Sequence, residues 1–350
     1  MDLTADPLAE RLRRVLVSGL TPVADDDPEQ LWPVLLDYEA LAFEAPSSAG
    51  GYGLGVTTGV VVSRELGCRA LPDLYTGTAM AVDAISSSGD PRGMAASLVG
   101  GKCPVVLAGM DALPTPRLTA RPVAGGYELA GKVPVDSTVP AMAGCCFPVA
   151  ADDSVLLVML TPEALAPVVS TGPTGLPMVQ LDGVTIGDDE IVGSLGTGVP
   201  LSDPDGILSR ARIRQAAYLL GLAAGAQALA VGHASGRRQF GRPVIEFQSI
   251  GFTLARSAID LRAVHLSIER AAWLADTGAP DPLAAVQALA FSAETAMTVI
   301  RAATQIHGAA GLTRTSAMHR YYLAARRHTT SWASPARLWC EAGARRLTTT

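Results

Sequence analysis

The stretch His233-Ala-Ser-Gly-Arg237-Arg238-Gln239-Phe240-Gly241-Arg-Pro243-Val-Ile245-Glu-Phe247-Gln248 sets two guanidinium groups beside a glycine turn. A long apolar run precedes it, and a helix is expected to begin after it, at Pro243. Arginine offers a planar fork of donors that stays charged, while a turn and a helix N-terminus offer backbone N–H groups and a positive dipole end. The chemistry suits an anion the size of a phosphate. A basic connection with its charges in water is the competing reading, because charge runs are usually solvated.

The flanking segments read as long helices. Ile213 to Val231 is nearly all apolar or alanine, as a helix packed on several sides must be. Phe247, Ile250, Leu254, Leu261, Val264 and Ile268 mark one face of the next helix, spaced by three, four or seven. Asp281 reads as an N-cap with Pro282 in the first turn of a third helix, which runs towards Gln305. With a fourth near Pro335–Arg346 these form a bundle.

Before the bundle, residues 1–102 read as helices separated by Gly and Pro. Leu8, Leu12, Val15 and Leu16 recur at helical spacing, and Trp32, Leu35, Leu36 and Glu39 repeat the pattern after Asp25-Asp-Asp27-Pro28. Gly50-Gly51-Tyr52-Gly53-Leu-Gly55 follows no strand and lacks nucleotide-loop spacing, so it reads as a plain loop. Residues 103–205 change to short β-prone runs at Val105–Leu107, Tyr127–Leu129, Cys145–Val149 and Val155–Val158, spaced as in a small antiparallel sheet or barrel. Residues 206–350 form the bundle. The fold class is therefore mainly α with a central β domain.

The 350 residues are enough for two or three domains with a sizeable core. A formal charge of −6 argues against a nucleic-acid surface. Residues 1–20 mix acids and arginines with leucines, which suits neither a signal peptide nor a membrane span. Cys68, Cys103, Cys145, Cys146 and Cys340 show no paired C-x-x-C spacing, so neither a disulfide framework nor a zinc site is expected, and a cytoplasmic location fits. The vicinal pair Cys145-Cys146 reads as buried strand, since nothing basic flanks it to activate a thiol. His307, His319 and His328 lack carboxylates at ligand spacing, so no metal is expected.

The wording R-R-Q-F-G-R-P-V-I-E-F-Q-S-I, followed by Gln305-Ile-His307-Gly308-Ala-Ala-Gly311, resembles the C-terminal half of an acyl-CoA dehydrogenase, from about Arg212 to Leu347. Glu44-Ala-Pro46-Ser-Ser-Ala-Gly-Gly-Tyr-Gly is similar to that family's E-x-x-G-G-x-G loop, with an insertion. The resemblance implies an N-terminal α domain, a middle β domain and a C-terminal four-helix bundle. It also implies FAD. Arg237 falls on the arginine that reaches the flavin pyrophosphate across a subunit interface, and Phe240 and Gln248 fall near the adenosine half. Gln305, with the turn at Gly308 and Ala309, faces the pyrophosphate too. Ala309 replaces a glycine, which restricts φ and adds a methyl.

The same resemblance implies a gap where the chemistry should be. The carboxylate that removes the acyl-CoA α-proton falls on Trp332, and its alternative place, one residue before Arg212, falls on Ala211. Leu107-Ala-Gly-Met-Asp111-Ala-Leu-Pro and Pro134-Val135-Asp136 replace the segments that line the flavin ring. Kept adenosine contacts with a lost base and ring site resemble the short subunits of heteromeric α2β2 acyl-CoA dehydrogenases of actinobacterial steroid degradation. Met318-His319-Arg320-Tyr321-Tyr322 is similar to theirs as well. That implies a homologous partner subunit which holds the base and most of the acyl-CoA, with the Trp332 indole filling the cleft in this chain. Two alternatives stand beside it: a self-sufficient flavoenzyme with a relocated base such as Asp136 or Glu341, and a flavin-free scaffold.

Overall fold

The computed structural model describes residues 7–21, 23, 27–90, 92–135, 141–152, 154–172, 177–194 and 204–348. The amino-terminal part is helical: α1 (Pro7–Leu20), α2 (Pro28–Asp37), α3 (Val56–Cys68), α4 (Tyr75–Ser87) and α5 (Met94–Val99). Leu12 and Leu16 are buried in α1, while Val15 between them faces solvent. The Asp27 carboxylate caps α2 by accepting from the Glu29 and Gln30 N–H groups. The helix stops at Asp37, short of the expected Glu39, which lies past the end at a φ of +52°. Residues 50–55 form a loop, and α3 starts just beyond it.

The middle part holds β1 (Val105–Leu107), β2 (Leu118–Val123), β3 (Gly126–Ala130), β4 (Lys132–Pro134), β5 (Gly144–Ala151) and β6 (Ser154–Leu160). A short α6 (Pro162–Leu165) leads to β7 (Val169–Thr171), β8 (Pro177–Gln180), β9 (Val184–Ile186) and β10 (Ile191–Ser194). A seven-stranded sheet runs β10-β6-β5-β2-β3-β9 with β1 also paired to β5, and β4-β8-β7 form a second sheet. Most pairings are antiparallel, but β1 and β2 each lie parallel to β5. Cys145 and Cys146 are buried in β5, and burial pushes both thiols up, Cys146 to about 12.

The carboxy-terminal part is α7 (Pro204–Gly236), α8 (Gln248–Asp276), α9 (Pro282–His307), α10 (Ala317–His328) and α11 (Pro335–Thr348). The Asp281 carboxylate accepts from the Leu283 N–H at 2.9 Å with Pro282 in the first turn, as the sequence requires of a helix start there. α9 packs on α7, α8, α10 and α11, so α10 joins the four expected helices as a fifth. α7 and α9 are long and apolar enough to cross a membrane by length and composition, and both are mostly buried in this core.

Two further contacts fix the amino-terminal helices to the bundle. A Cβ at Gly67 would stand 2.1 Å from the Tyr218 carbonyl oxygen, and one at Gly221 2.1 Å from that of Arg64, so glycine lets α3 and α7 approach backbone to backbone. At the far end of α8, the Asp276 carboxylate accepts from the N–H groups of Val56 (2.7 Å) and Thr57 (3.0 Å) and from the Thr57 hydroxyl (2.6 Å). It caps α3 from another element.

Candidate functional site

Between α7 and α8 the chain makes a two-stranded hairpin rather than entering a helix at Pro243. β11 (Arg238–Gln239) pairs with β12 (Arg242–Pro243), a 3-10 turn covers Val244–Glu246, and α8 begins at Gln248. The two turn residues, Phe240 and Gly241, have φ of +49° and +81°. Glycine adopts that region freely, whereas phenylalanine is strained there. Packing does not explain the strain, since Phe240 is 91% exposed.

The arginines of the hairpin divide their work. Arg238 Nη2 donates to the Gly241 carbonyl at 2.8 Å and so closes the turn. The Arg242 guanidinium lies 4.3 Å from the centre of the Phe247 ring. Arg237, by contrast, is exposed, and its guanidinium has no hydrogen bond or ion pair among the described residues. Gln248 and Gln305 are exposed as well.

The end of α9 meets this hairpin through a contact that motif spacing did not announce. The His233 ring stacks on that of His307 at 4.5 Å between centroids, and His307 Nδ1 stands 2.8 Å from the Ala303 carbonyl oxygen. Burial, His307 and Arg237 together push the His233 imidazole down. The turn after His307 takes its positive φ, +60°, at Gly308, where nothing lies within 4 Å of a would-be Cβ. Ala309 is not among the described residues with positive φ and its methyl is exposed, so alanine stands there without backbone strain. An open guanidinium, an exposed aromatic in a held turn and a glycine turn fit the pyrophosphate and adenosine half of a dinucleotide.

The second site is a cavity of about 560 Å³ between the β domain and the bundle. Leu107–Asp111, Pro134 and Val135, and Trp332 all line it, so the three segments matched to the family's ring and base positions converge on one space. Gln215, Arg326, Arg327 and His328 from the bundle and Asp73, Leu74 and Thr76 at the start of α4 also line it. The Trp332 indole is buried and forms part of the lining. It leaves the space open, contrary to the expectation that it fills the cleft. Ala211 is buried one turn before Gln215.

Each carboxylate near this cavity is already engaged. Asp111 receives both Nη atoms of Arg117 at 2.7 Å, and Asp73 caps α4 by accepting from the Thr76 N–H at 3.0 Å. Glu341 is held by Arg212 at 2.8 and 3.1 Å and by Arg345 at 3.2 Å. Asp136 lies outside the described residues.

A buried charge cluster beside the cavity also escaped sequence reasoning. Arg214 Nε donates to both Glu44 oxygens at 3.0 Å, and its Nη2 donates to Glu44 and, at 2.7 Å, to Asp83. The Tyr75 hydroxyl donates to Glu44 at 2.8 Å and Arg210 Nε to Asp83 at 3.2 Å. One signal was present: an arginine inside an otherwise apolar helix needs a carboxylate.

The family of the acyl-CoA dehydrogenase C-terminal domain matches residues 204–331. Acyl-CoA dehydrogenase FadE27 of Mycobacterium tuberculosis is 28% identical over 314 residues, 85% of this chain and 82% of that protein. The 3-(aryl)acrylate reductase of Clostridium sporogenes is 35% identical over 153 residues, 43% of this chain and 40% of the reductase. Among solved structures, the ChsE4-ChsE5 complex from Mycobacterium tuberculosis matches with a TM-score of 0.82 and 25% identity over the whole of both chains. A variant of the Tcur3481-Tcur3483 steroid ACAD matches with a TM-score of 0.79 and 25% identity, covering 98% of this chain and 96% of the other. Butyryl-CoA dehydrogenase from Megasphaera elsdenii, at 20% identity and a TM-score of 0.78, shares the fold. On these grounds, and on the motifs gathered at the hairpin and the α9 turn, residues 204–331 belong to the acyl-CoA dehydrogenase C-terminal domain family, and the chain as a whole has the acyl-CoA dehydrogenase fold.

Proposed function

We propose that this chain is one subunit of a heteromeric, FAD-dependent acyl-CoA dehydrogenase, in which it contributes adenosine and pyrophosphate contacts to a flavin whose ring and catalytic base belong to a homologous partner subunit. The observation that carries the reading is the distance between the two sites. Gln215 at the cavity and Arg237 at the hairpin are 22 residues apart, which is roughly 33 Å along a helix. Arg237 therefore stands far from the cavity of its own chain, and it is assigned here to a flavin whose ring lies in another chain. Arg237, Phe240, Gln248, Gln305, Gly308 and Ala309 are the residues assigned to that contact, and all six are solvent-exposed.

The cavity of this chain lacks the parts that would let it work alone. Trp332 and Ala211 occupy the places of the base, and the nearby carboxylates Asp73, Asp111 and Glu341 are bound to a helix end or to arginines. A base must reach the substrate proton within hydrogen-bond distance, and none is free to do so among the described residues. The reaction is α,β-dehydrogenation of an acyl-CoA thioester, for which bound FAD supplies the two-electron acceptor. The two heteromeric neighbours, one of them named a steroid ACAD, support a homologous partner subunit and a sterol-derived acyl chain; an α2β2 stoichiometry is part of the proposal. Unpaired thiols suit a cytoplasmic location.

The test is to purify the chain alone and together with a homologous, base-bearing acyl-CoA dehydrogenase subunit, and to read the flavin absorbance of each. The chain alone should hold little FAD and oxidise no acyl-CoA. The mixed assembly should hold flavin that bleaches on adding acyl-CoA. Stoichiometric flavin in the isolated chain, reduced by acyl-CoA, would overturn the reading.

A further inference from the structure

The Arg237 N–H donates to the His233 carbonyl at 2.8 Å, so the helical turn at the end of α7 carries on to Arg237 and sets the two side chains on one face. His307 is the last residue of α9, and the open turn at Gly308 follows it directly. Because the two imidazoles stack at 4.5 Å, they join the open guanidinium to the glycine turn. An anion held between those two features lies against the stacked rings.

No carboxylate is paired with either ring among the described residues. The groups that bear on His233 are His307 from α9 and Arg237 from its own chain end. Of the other elements at this end, the hairpin carries Arg238 and Arg242, which are turned to the Gly241 carbonyl and the Phe247 ring. The 3-10 turn after it carries Glu246, which is exposed and in no ion pair among the described residues, and the turn Gly308–Leu312 has no titratable side chain. With the site empty, burial, the second ring and Arg237 all disfavour a proton on His233. A carbonyl only accepts, so His307 Nδ1 donates its hydrogen to Ala303, and a further proton on that ring goes to Nε2. Two charged rings face to face would repel, so the pair titrates as a unit that holds a single proton.

We propose that the His233–His307 pair takes up one proton from solvent when a pyrophosphate lies against Arg237, and so becomes a second cationic contact to that anion. The inference rests on the pyrophosphate reading of the hairpin, and it adds two residues and a pH dependence to that site. An anion reverses the local field that keeps the empty pair neutral. The coupling is reciprocal: the factor by which the anion tightens the proton is the factor by which the proton tightens the anion. The Arg237 charge does not change in this range, so any pH dependence of binding comes from groups such as these imidazoles. A stack that served only to hold α7 against α9 would support binding equally at every pH.

The probe is ADP-ribose, which has an adenosine and a pyrophosphate diester but no group that titrates between about pH 5.5 and pH 8. Titrated into the unmodified chain in a calorimeter, it should bind about tenfold more weakly at the upper end of that range than at the lower. Protons should be taken up on binding, read from the difference between buffers of unlike ionisation heat. The double variant His233→Phe with His307→Asn keeps a flat ring and an amide able to donate to the Ala303 carbonyl. It should bind equally across the range and take up no protons. Binding by the unmodified chain that ignores pH, or a pH dependence that the double variant keeps, overturns the inference and leaves the anion site at the hairpin standing. No binding at any pH overturns that anion site, and the inference with it. Should circular dichroism show the double variant unfolded, the ring C2–H resonances of the unmodified chain decide: a titration midpoint for His233 and His307 that does not rise on adding ADP-ribose overturns the inference.

Discussion

The imidazoles of His233 and His307 stack with centroids 4.5 Å apart and planes 28° apart, which ties the last turn of α7 to the last turn of α9. Arg237 follows one turn after His233, so the contact holds the backbone that carries Arg237 against the end of α9. Arg237→Ala should weaken flavin retention in the mixed assembly by about 2–3 kcal/mol, the worth of a charge-assisted bond to phosphate. Arg237→Lys should recover part, because an ammonium cannot fork. Arg238→Ala should cost less, since Arg238 is spent on the Gly241 carbonyl. Flavin absorbance after gel filtration measures all three, and equal flavin in every variant would return Arg237 to a solvated loop.

Arg214 and Glu44 are a second predicted point of failure. Burial alone would push the guanidinium towards losing its proton, but Glu44 and Asp83 outweigh it and hold the charge more firmly than usual. Burial also pushes the Glu44 carboxyl up, against the pull of Arg214. Removing one partner leaves the other charge buried and uncompensated, so Arg214→Met should cost about 3–5 kcal/mol in urea unfolding. Arg214→Met with Glu44→Gln should recover part of that loss. A single variant with an unchanged midpoint would show that the cluster carries no stability.

Acid sensitivity should arise at His265. Its Nε2 stands 3.1 Å from Glu269 Oε1, while its Nδ1 is buried without a partner. A second proton on Nδ1 would therefore be a buried, unpaired donor facing Arg64 and Arg262. Burial first, and then those two arginines, push the imidazole down from 6.5 to about 4. The folded value lies below the unfolded one, so the unfolded chain binds more protons between them. The stabilisation is full above pH 6.5 and is lost as the pH falls towards 4. With the side chain partly exposed, the loss should be on the order of 2 kcal/mol. Urea midpoints between pH 7 and pH 5 should fall for the unmodified chain and flatten for His265→Gln. Parallel falls would assign the acid sensitivity elsewhere.

Local signals in the sequence were readable, and long-range ones were not. Asp281-Pro282 announces α9 because an acceptor cap and a proline in the first turn act within a few residues. The start of α8 depends on a hairpin that pairs Arg238 with Pro243 and on Arg242 lying over Phe247, and proline at 243 alone misreads it. The strands β7 to β10 hold only three or four residues each, too few for alternation to register, and exist because β3, β6 and one another are there to pair with. In α10 the buried Met318, Tyr321 and Ala325 do keep helical spacing, but the basic residues around them mask it. At the site, the motif residues announced the exposed hairpin and the glycine turn after α9. The Glu44–Arg214 cluster joins residues 170 apart, which no spacing rule connects.

Trp332 provides the sharpest test of what the cavity has become. The indole is 5% exposed and lines the 560 Å³ space, with the Arg212 guanidinium 5.8 Å from its ring centre. Arg212 in turn is held by Glu341, but its Nε is buried without a partner. Trp332→Ala removes a large buried group beside existing empty space, so it should cost about 3–5 kcal/mol and lower the unfolding temperature. Turnover of the mixed assembly should persist while it stays assembled, as the proposed placement of the base in the other subunit requires. Trp332→Glu restores a carboxylate to the family position without restoring a base. That carboxylate must be desolvated, and the Arg212 guanidinium, which lies 5.8 Å from the indole ring it would replace, should hold it ionised and bound. The expected result is a less stable chain that, loaded with FAD, oxidises no acyl-CoA. Measurable oxidation by isolated Trp332→Glu would mean that the cavity is a working site that has merely lost its base, and the assignment of the chemistry to a partner subunit would fall.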